Sequence, residues 1–298
     1  MIRAVLGLSQ ANSESPMTRF STDQAPQDFV LRQVQKKDLP TLIQQLNDPR
    51  IAPWLAALPQ PFGPSDVDAL LAHGQHPDEH LFIVEHGGAV AGCLCIGASL
   101  WYWLDPAFWG RGLMHQALER AVTAHFAALA PPLSATCHTD NAASQTLLTR
   151  LGFSPAPTLR KMFFQSTQSA ELCRDFVMTP EQWHLLHPPL IALNDVCLRP
   201  AEQKDAVTLV RMLPHAGSPI WPAPETIRAF IETHRFRGPP RGLFVILDAH
   251  RRSLGMALLT ENTPALRFLS EEDATRHQDQ ISAALAQGIG AVQSFKCE

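Results

Sequence analysis

The stretch that decides the fold is Leu104-Asp-Pro-Ala-Phe-Trp-Gly-Arg-Gly-Leu-Met114. It places the end of a strand before Pro106, a loop with two glycines after it, and a helix from Leu113 onward. The first turn of a helix has unpaired backbone N–H groups and a partial positive charge that attract anions. Because Gly110 and Gly112 have no side chains, a pyrophosphate could approach the backbone closely there. The stretch therefore predicts a phosphate-binding loop, although a glycine pair of this kind is also compatible with a plain turn.

A second informative stretch is Asp140-Asn-Ala-Ala-Ser144, followed by a helical segment that ends at Leu151-Gly152-Phe153. Asp140 or Asn141 would cap the start of this helix, and Gly152 would end it. Capping alone explains these residues without any function. Around the two stretches, apolar spacing predicts the order strand, two helices, three strands, helix, strand, helix and then more strand.

In this order the two stretches resemble the GNAT superfamily of acetyl-CoA-dependent N-acetyltransferases, and specifically its RimJ/RimL-like branch. That branch has Trp-Gly-x-Gly after a strand ending in x-Pro, followed by Asn-x-x-Ser and Leu-Gly-Phe. It often closes with a segment like Cys173-Arg-Asp-Phe-Val-Met-Thr-Pro-Glu-Gln-Trp183, which is present here. The resemblance covers residues 29–185. It implies an α/β (α+β) GNAT acyl-CoA N-acyltransferase fold, with a mixed, mostly antiparallel sheet and flanking helices.

The resemblance also implies acetyl-CoA as co-substrate and assigns site residues. The backbone at Tyr102 and Leu104 would pair with the pantetheine arm, Asn141 would contact the cofactor, and Ser144 would lie near the thiolate leaving group. The residues of the loop that would hold the pyrophosphate are Trp109, Gly110, Arg111, Gly112, Leu113 and Met114.

Acetyl transfer needs a neutral amine, a polarised thioester carbonyl and a proton for the departing thiolate. A backbone N–H near Leu104 could polarise the carbonyl, and Ser144 could relay the proton. Many GNAT enzymes use a tyrosine acid on the helix before Leu-Gly-Phe, but Leu148 stands at that position. The single tyrosine, Tyr102, lies on a predicted strand, and we therefore do not expect it to be the acid.

The sequence identifies no general base. The glutamates common in the family fall at Gln116 and Ala156, so Glu85, Asp175 or a chain of waters are the remaining candidates. No metal is expected. His73, His76 and His80 are close together, but they lie in a polar segment with Pro and Gly and without cysteine partners, which favours a solvated loop.

The second half of the chain repeats part of the first. Phe29–Asp38 is echoed by Val196–Asp205, and Trp54 is echoed by Trp221 in the same register. We therefore predict a tandem arrangement in which residues 195–298 are a degenerate, truncated GNAT-like domain. Extending the register would set Leu269 on Leu104. It would also place Thr275 and His277 where the first copy has Gly110 and Gly112, so the second copy is expected to bind no acetyl-CoA. Trp54 and Trp221 are expected to be core or acceptor-side packing residues.

Bulk properties limit the remaining choices. A chain of 298 residues with a formal net charge of -4 has no basic field for nucleic acid, and the scattered cysteines suit reduced thiols in a cytoplasmic protein. Residues 1–28 are predicted to be a flexible N-terminal segment without a signal peptide, and no membrane span is predicted.

The leading functional hypothesis is acetyl transfer to a primary amine, with a protein N-terminus favoured by the resemblance. A polyamine or aminoglycoside is the alternative acceptor. The competing hypothesis from another class is a catalytically silent acyl-CoA-binding regulatory module.

Overall fold

The computed structural model describes residues 29–74, 79–128, 130–213, 219–238, 241–260 and 264–286. The described residues form two compact units. The first unit contains residues from 29–125 and 131–179, and the second contains residues from 126–130 and 180–286. The predicted catalytic domain, 29–185, extends one helix beyond the first unit. The predicted N-terminal segment, residues 1–28, lies outside the described residues.

Four antiparallel strands form the first sheet of the first unit, in the order β1-β2-β3-β4. Their bounds are β1 Phe29–Gln33, β2 His80–His86, β3 Ala89–Ile96 and β4 Trp101–Leu104. The turn between β2 and β3 uses Gly87 and Gly88 at φ of +57° and +79°, values that glycine adopts without strain. The predicted meander of three strands over this part of the chain is confirmed.

Helices α1, Leu39–Leu46, and α2, Pro64–Gly74, connect β1 to β2. Apolar residues at helical spacing give each helix one buried face, which includes Leu42 and Leu46 of α1 and Val67 of α2. These side chains belong to one core cluster with Ile83 of the sheet. The two helices therefore bury one face of the first sheet.

The second sheet of the first unit has the order β5-β7-β6, with β5 Leu133–His138, β6 Ser154–Phe164 and β7 Ser169–Met178. Helix α3, Leu113–Ala127, precedes β5, and helix α4, Ala142–Arg150, follows it. The N–H of Leu100 donates to the carbonyl of Ser134 at 2.7 Å, which links the starts of β4 and β5. Beyond that bond the two strands belong to separate sheets. The predicted order of elements in the first half is confirmed.

The second unit has one antiparallel sheet of five strands in the order β12-β11-β10-β9-β8. The strands are β8 Ile191–Leu193, β9 Val196–Pro200, β10 Gly242–Asp248, β11 Ser253–Leu259 and β12 Ala265–Phe268. The described helices are α5 Pro180–Leu186, α6 Ala206–Leu209, α7 Ile227–Thr233 and α8 Glu271–Ala286. One core cluster on this sheet includes Leu209 and Ile231, and another includes Ile281 of α8.

The end of the second unit differs from the sequence prediction. Helix α8 begins at Glu271, so Thr275 and His277 lie inside the helix and not in a loop before it. Gly255 pairs with Phe268, as Gly92 pairs with Leu104, so Phe268 and not Leu269 corresponds to Leu104. The predicted register between residues 104–112 and 269–277 was wrong, because the connection from β12 to α8 is shorter than the connection from β4 to the next helix of the first unit. A difference in the length of a connection cannot be recognised from such a weak sequence match.

Side-chain burial agrees with the cysteine prediction. Cys93, Cys95, Cys137 and Cys173 are buried free thiols, and burial raises the pKa of each. Cys297 lies outside the described residues. Within the described ranges, no helix is long and apolar enough to cross a membrane.

Candidate active site

A cavity of about 1400 Å³ lies in the first unit. Both β4 and β5 line it, and so do the start of α3 and the residues of α4. Its other walls come from the segment between α1 and α2 and from the end of β6. Most of the residues that the sequence assigned to cofactor or catalysis line this one cavity: Tyr102, Leu104, Trp109, Gly110, Gly112, Leu113, Met114, Asn141 and Ser144.

The glycine loop has the geometry that its sequence predicts. Gly110 and Gly112 have φ values of +74° and +71°, a left-handed conformation that disfavours any side chain. A Cβ atom at either position would meet no atom within 4 Å, so the space beside the backbone is open. Helix α3 begins at the next residue, Leu113. The loop therefore presents backbone to an open space at the N-terminus of a helix of fifteen residues.

Two aromatic residues brace this loop. The indole N–H of Trp109 donates to the carbonyl of Leu104 at 2.7 Å, while the Trp109 side chain remains 48% exposed. The guanidinium of Arg111 lies 5.7 Å from the ring centre of Phe108, a distance that allows a cation–π contact. The family resemblance predicts that the backbone of Leu104 pairs with the pantetheine arm. Its carbonyl accepts the Trp109 bond through one lone pair, so one lone pair of that oxygen remains for a second donor.

Ser144 is joined to the one tyrosine of the chain. The hydroxyl oxygen of Tyr102, on β4, lies 2.7 Å from Oγ of Ser144, on α4. Burial raises the pKa of Tyr102, and the hydrogen bond to Ser144 opposes that increase only partly. The sequence analysis set this tyrosine aside because it lies on a strand. Its side chain nevertheless crosses from the strand to the helix that carries Ser144, which the strand position alone did not indicate.

Asn141 and Cys137 complete the surroundings of Ser144. Oδ1 of Asn141 accepts the backbone N–H of Ser144 at 3.0 Å, which is the predicted cap of the helix. The thiol of Cys137 donates to the carbonyls of His138, at 3.4 Å, and Asn141, at 3.7 Å. Burial raises the pKa of Cys137, and a hydrogen bond from Ser144 acts in the opposite direction. The Ser144 hydroxyl therefore lowers the pKa of a neighbouring thiol, in opposition to burial.

One group of aromatic side chains in the cavity is centred on His138. The ring of His138 lies edge-on to Trp54 and to Phe164, each with ring centres 5.5 Å apart. All three side chains line the cavity, and Trp54 is 39% exposed. Trp54 is thus not a core residue, whereas its sequence counterpart Trp221 is 7% exposed. The sequence analysis did not identify His138 or Phe164, because nothing in the local pattern shows that β5 and β6 end beside Trp54.

A hydrogen bond defines the tautomer of the neutral His138 ring. Its Nδ1 accepts the backbone N–H of Asp140 at 3.0 Å, so in the neutral ring Nε2 carries the proton. Nε2 lies 3.8 Å from a carboxylate oxygen of Glu171. The neutral ring therefore has no lone pair available to accept a proton from an amine.

Neither carboxylate proposed as a general base from sequence is placed to act as one. Glu85 accepts a hydrogen bond from Arg32 at 2.5 Å, and it does not line the cavity. Asp175 does not line it either. Asp175 accepts bonds from Arg160 at 2.8 Å and from the hydroxyl of Thr136 at 2.6 Å, and the Arg160 bond is the main reason that its pKa is lowered. The carboxylates that do line the cavity are Asp66 and Asp140.

In the described part of the chain, no group of three or more His, Cys, Asp or Glu side chains is arranged to hold a metal ion. Of the histidines in the predicted polar loop, His76 lies outside the described residues.

Comparison with known families identifies the first half of the chain. Residues 28–154 match the family model described as "Acetyltransferase (GNAT) domain". The sequence has no significant match among curated proteins.

Solved structures with a similar fold cover about half of this chain. A RimL ribosomal L7/L12 alpha-N-protein acetyltransferase in complex with coenzyme A is 21% identical, with a TM-score of 0.45, over 51% of this chain and 94% of that chain. Mycobacterium smegmatis RimJ in complex with CoA-disulfide is 22% identical, with a TM-score of 0.44, over 51% and 81%. A spermidine N-acetyltransferase from Vibrio cholerae in complex with CoA and spermine is 18% identical, with a TM-score of 0.45, over 52% and 98%.

Proposed function

We propose that the protein is an acetyl-CoA-dependent N-acetyltransferase, because residues 28–154 match the family model described as "Acetyltransferase (GNAT) domain". On that premise we propose that it acetylates the N-terminal amine of a protein in the cavity between β4 and β5. The observation that carries the proposal is that the open glycine loop and the Tyr102–Ser144 pair line one cavity. The aromatic side chains around Trp54 would receive the acceptor.

The glycine loop would hold the pyrophosphate of acetyl-CoA. The left-handed glycines, the start of α3 and the open space beside Gly110 and Gly112 support this assignment. Asn141 would contact the cofactor through its amide nitrogen, because its oxygen caps α4. The backbone of β4 at Tyr102 and Leu104 would meet the pantetheine arm and polarise the thioester carbonyl through an N–H group.

Ser144 would supply the proton to the departing thiolate. It lines the same cavity as the loop, and its hydroxyl is bonded to that of Tyr102 at the side of the cavity that β4 forms. No covalent enzyme intermediate is required, because the neutral amine attacks the thioester directly.

Carboxylates near the cavity accept hydrogen bonds from the protein itself, which supports an acceptor of low basicity. Asp66, which lines the cavity, accepts the backbone N–H of Gly63 at 2.8 Å, and Arg50 is bonded to Asp48 at 2.6 Å. A polyamine would need several free carboxylates and a base. At pH 7.5 about a third of an α-amine of pKa about 7.8 is neutral, against about 0.1% of an alkyl amine of pKa about 10.4. An α-amine can therefore react in a site without a dedicated base.

The test is release of free CoA with a mixed panel of acceptors. N-terminal peptides should turn over, with kcat/KM rising tenfold per pH unit below about pH 7.8 as the α-amine loses its proton. Turnover that is confined to spermine-like amines or aminoglycosides would move the protein to the alternative acceptor class. Acetyl-CoA binding without turnover for any amine would show the silent regulatory module.

We further propose that the second unit, within residues 195–298, is a truncated copy of the first. Strands β9 to β12 repeat the antiparallel order of β1 to β4, and register shifts occur at the equivalent positions Val84/Glu85 and Ile246/Leu247. A Cβ at Gly92 would collide with the carbonyl of Trp103, and a Cβ at Gly255 with that of Arg267. The same glycine is thus required at the same place in each sheet.

An ion pair is repeated as well. Arg32 donates to the two oxygens of Asp38 at 2.7 and 2.8 Å, and Arg199 donates to those of Asp205 at 2.8 and 2.7 Å. Each aspartate also accepts a backbone N–H from three residues earlier, at 2.8 Å. This shared detail at the start of each copy supports duplication more strongly than the sheet order does.

The copy would bind no acetyl-CoA. Only residues 269 and 270 separate β12 from α8, whereas residues 105–112 separate β4 from α3. The first turn of α8 carries Glu271, Glu272 and Asp273, which repel a phosphate, and Ser270 already caps the N–H of Asp273 at 3.1 Å. Calorimetry should give one acetyl-CoA per chain, and a stoichiometry of two would overturn this proposal.

A further inference from the structure

The Tyr102–Ser144 hydrogen bond joins the two sides of the cavity. Tyr102 is the only tyrosine in the sequence, and it comes from β4, whereas Ser144 lies in the first turn of α4. Their oxygens are 2.7 Å apart, a normal distance for a hydroxyl–hydroxyl bond. Tyr102 is not at the position where the family resemblance places an acid, which is Leu148, and Leu148 is fully buried here.

The direction of this bond decides what Ser144 can do. A serine hydroxyl has one hydrogen and two lone pairs. Serine near the start of a helix commonly turns that hydrogen toward a carbonyl of the preceding turn, where it would not reach the cavity. If Tyr102 donates to Ser144, then the serine lone pair is satisfied, and the serine hydrogen is free to point at a sulfur atom. If Tyr102 accepts, the serine hydrogen is consumed.

We propose that Tyr102 is a positioning residue for the reaction, which donates to Ser144 and thereby directs the Ser144 hydroxyl to the leaving sulfur of coenzyme A. The inference rests on the proposed function, because it concerns the same cavity and the same leaving group. It adds a residue on β4 that fixes the direction of the relay.

Protons balance without any other reagent. As the C–S bond of the tetrahedral intermediate breaks, its electron pair moves to sulfur, and the Ser144 proton moves to that sulfur to give the thiol. The nitrogen of the acceptor loses one proton, which returns through water to the oxygen of Ser144. The net change is one proton from nitrogen to sulfur, and Tyr102 keeps its own proton throughout.

Burial explains why Tyr102 can hold this position. The raised pKa of its hydroxyl keeps it protonated across the working range, so it can donate at every pH at which the amine reacts. The groups that face it are Ser144 and Cys137, and the pKa of the Cys137 thiol is also raised, so neither carries charge in that range.

The first test is a double-mutant cycle on kcat. Tyr102→Phe removes only the hydroxyl and should lower kcat about tenfold with the KM for acetyl-CoA nearly unchanged. Ser144→Ala should lower kcat more, and the double variant should be no slower than Ser144→Ala alone, because Tyr102 acts through the serine. Thr149→Val is the control, since it removes an exposed hydroxyl of α4 that bonds to Gln145. Losses that add in the double variant would overturn the proposal.

The second test needs no acceptor and therefore separates this inference from the proposed function. The ultraviolet absorbance of the thiolate, after subtraction of the protein without ligand, reports the pKa of the thiol of bound coenzyme A. A hydroxyl directed at sulfur stabilises the thiolate, so the bound thiol should be about tenfold more acidic than in Tyr102→Phe, Ser144→Ala or the double variant. If Tyr102→Phe leaves the acidity of the bound thiol as in the wild type while Ser144→Ala changes it, Tyr102 has no part in directing the hydroxyl.

Discussion

Replacement of Gly112 by Val tests the assignment of the phosphate-binding loop most directly. At a φ of +71°, valine is strained by about 1 to 3 kcal/mol, and its side chain would project into space that is now open. Gly88→Val is a matched control, because Gly88 has a φ of +79° and an equally open Cβ position in the turn between β2 and β3. Both variants should therefore lose a similar amount of stability in thermal melts.

Only the loop variant should lose affinity for acetyl-CoA. A hydrogen bond to a charged group contributes about 1.5 to 3 kcal/mol, so losing one backbone N–H bond to phosphate raises Kd by about ten- to a hundredfold. Isothermal titration calorimetry on both variants measures this difference. A Kd for Gly112→Val within twofold of the Gly88→Val value, in a folded protein, would refute the assignment.

Three further predictions concern single residues. Ser144→Ala should lower kcat by about ten- to a thousandfold while the Kd for acetyl-CoA changes little. Turnover assays with Thr149→Val as control measure this effect, and equal rates would leave Ser144 as a residue of the first turn of α4 without a part in catalysis. Burial opposes ionisation of Asp38 and Asp205, but hydrogen bonds from Arg32 and Arg199 lower the pKa of both carboxyl groups. The free energy of unfolding should therefore fall as the pH drops below about 4. The double variant Asp38→Asn with Asp205→Asn should show a smaller loss over that pH range in denaturant titrations. Burial lowers the pKa of His184 to about 4, so the buried ring stays neutral while the unfolded chain takes up a proton below about pH 6.5. The protein should therefore lose stability as the pH falls from about 6.5 toward 4. His184→Leu should remove this contribution to the pH dependence of the melting temperature between pH 7.5 and 5.

Local signals carried the predictions that the structure confirms. The order of strands and helices in the first half depends on apolar spacing. The left-handed loop depends on Gly110 and Gly112, whose positions in the sequence predict it. The cap of α4 by Asn141 likewise follows from neighbouring residues. Each of these features is set within about ten residues of chain, so the sequence contains the whole cause.

The contacts that were missed join distant parts of the chain. Tyr102 meets Ser144 across 42 positions, and His138 meets Trp54 and Phe164 because three separate elements end at one place. A strand position says which face a side chain takes, but not what stands opposite when the neighbouring strand belongs to another sheet. The chemistry around Ser144 is therefore a property of how β4 and β5 separate, which no local pattern encodes.

The two strand-to-helix connections show what separates a binding site from the fold that carries it. β4 and α3 are joined by residues 105–112, with two left-handed glycines and no acidic residue in the first turn of the helix. β12 and α8 are joined by residues 269 and 270, and three acidic residues follow. The sheet order and the paired arginine and aspartate are kept in both units, because each supports its own core. The helix dipole exists in both as well, so it cannot by itself make a phosphate site. In the proposed function the open loop would supply the site. The described residues of the second unit lack that loop, although they include a strand and a helix on either side of the shorter connection.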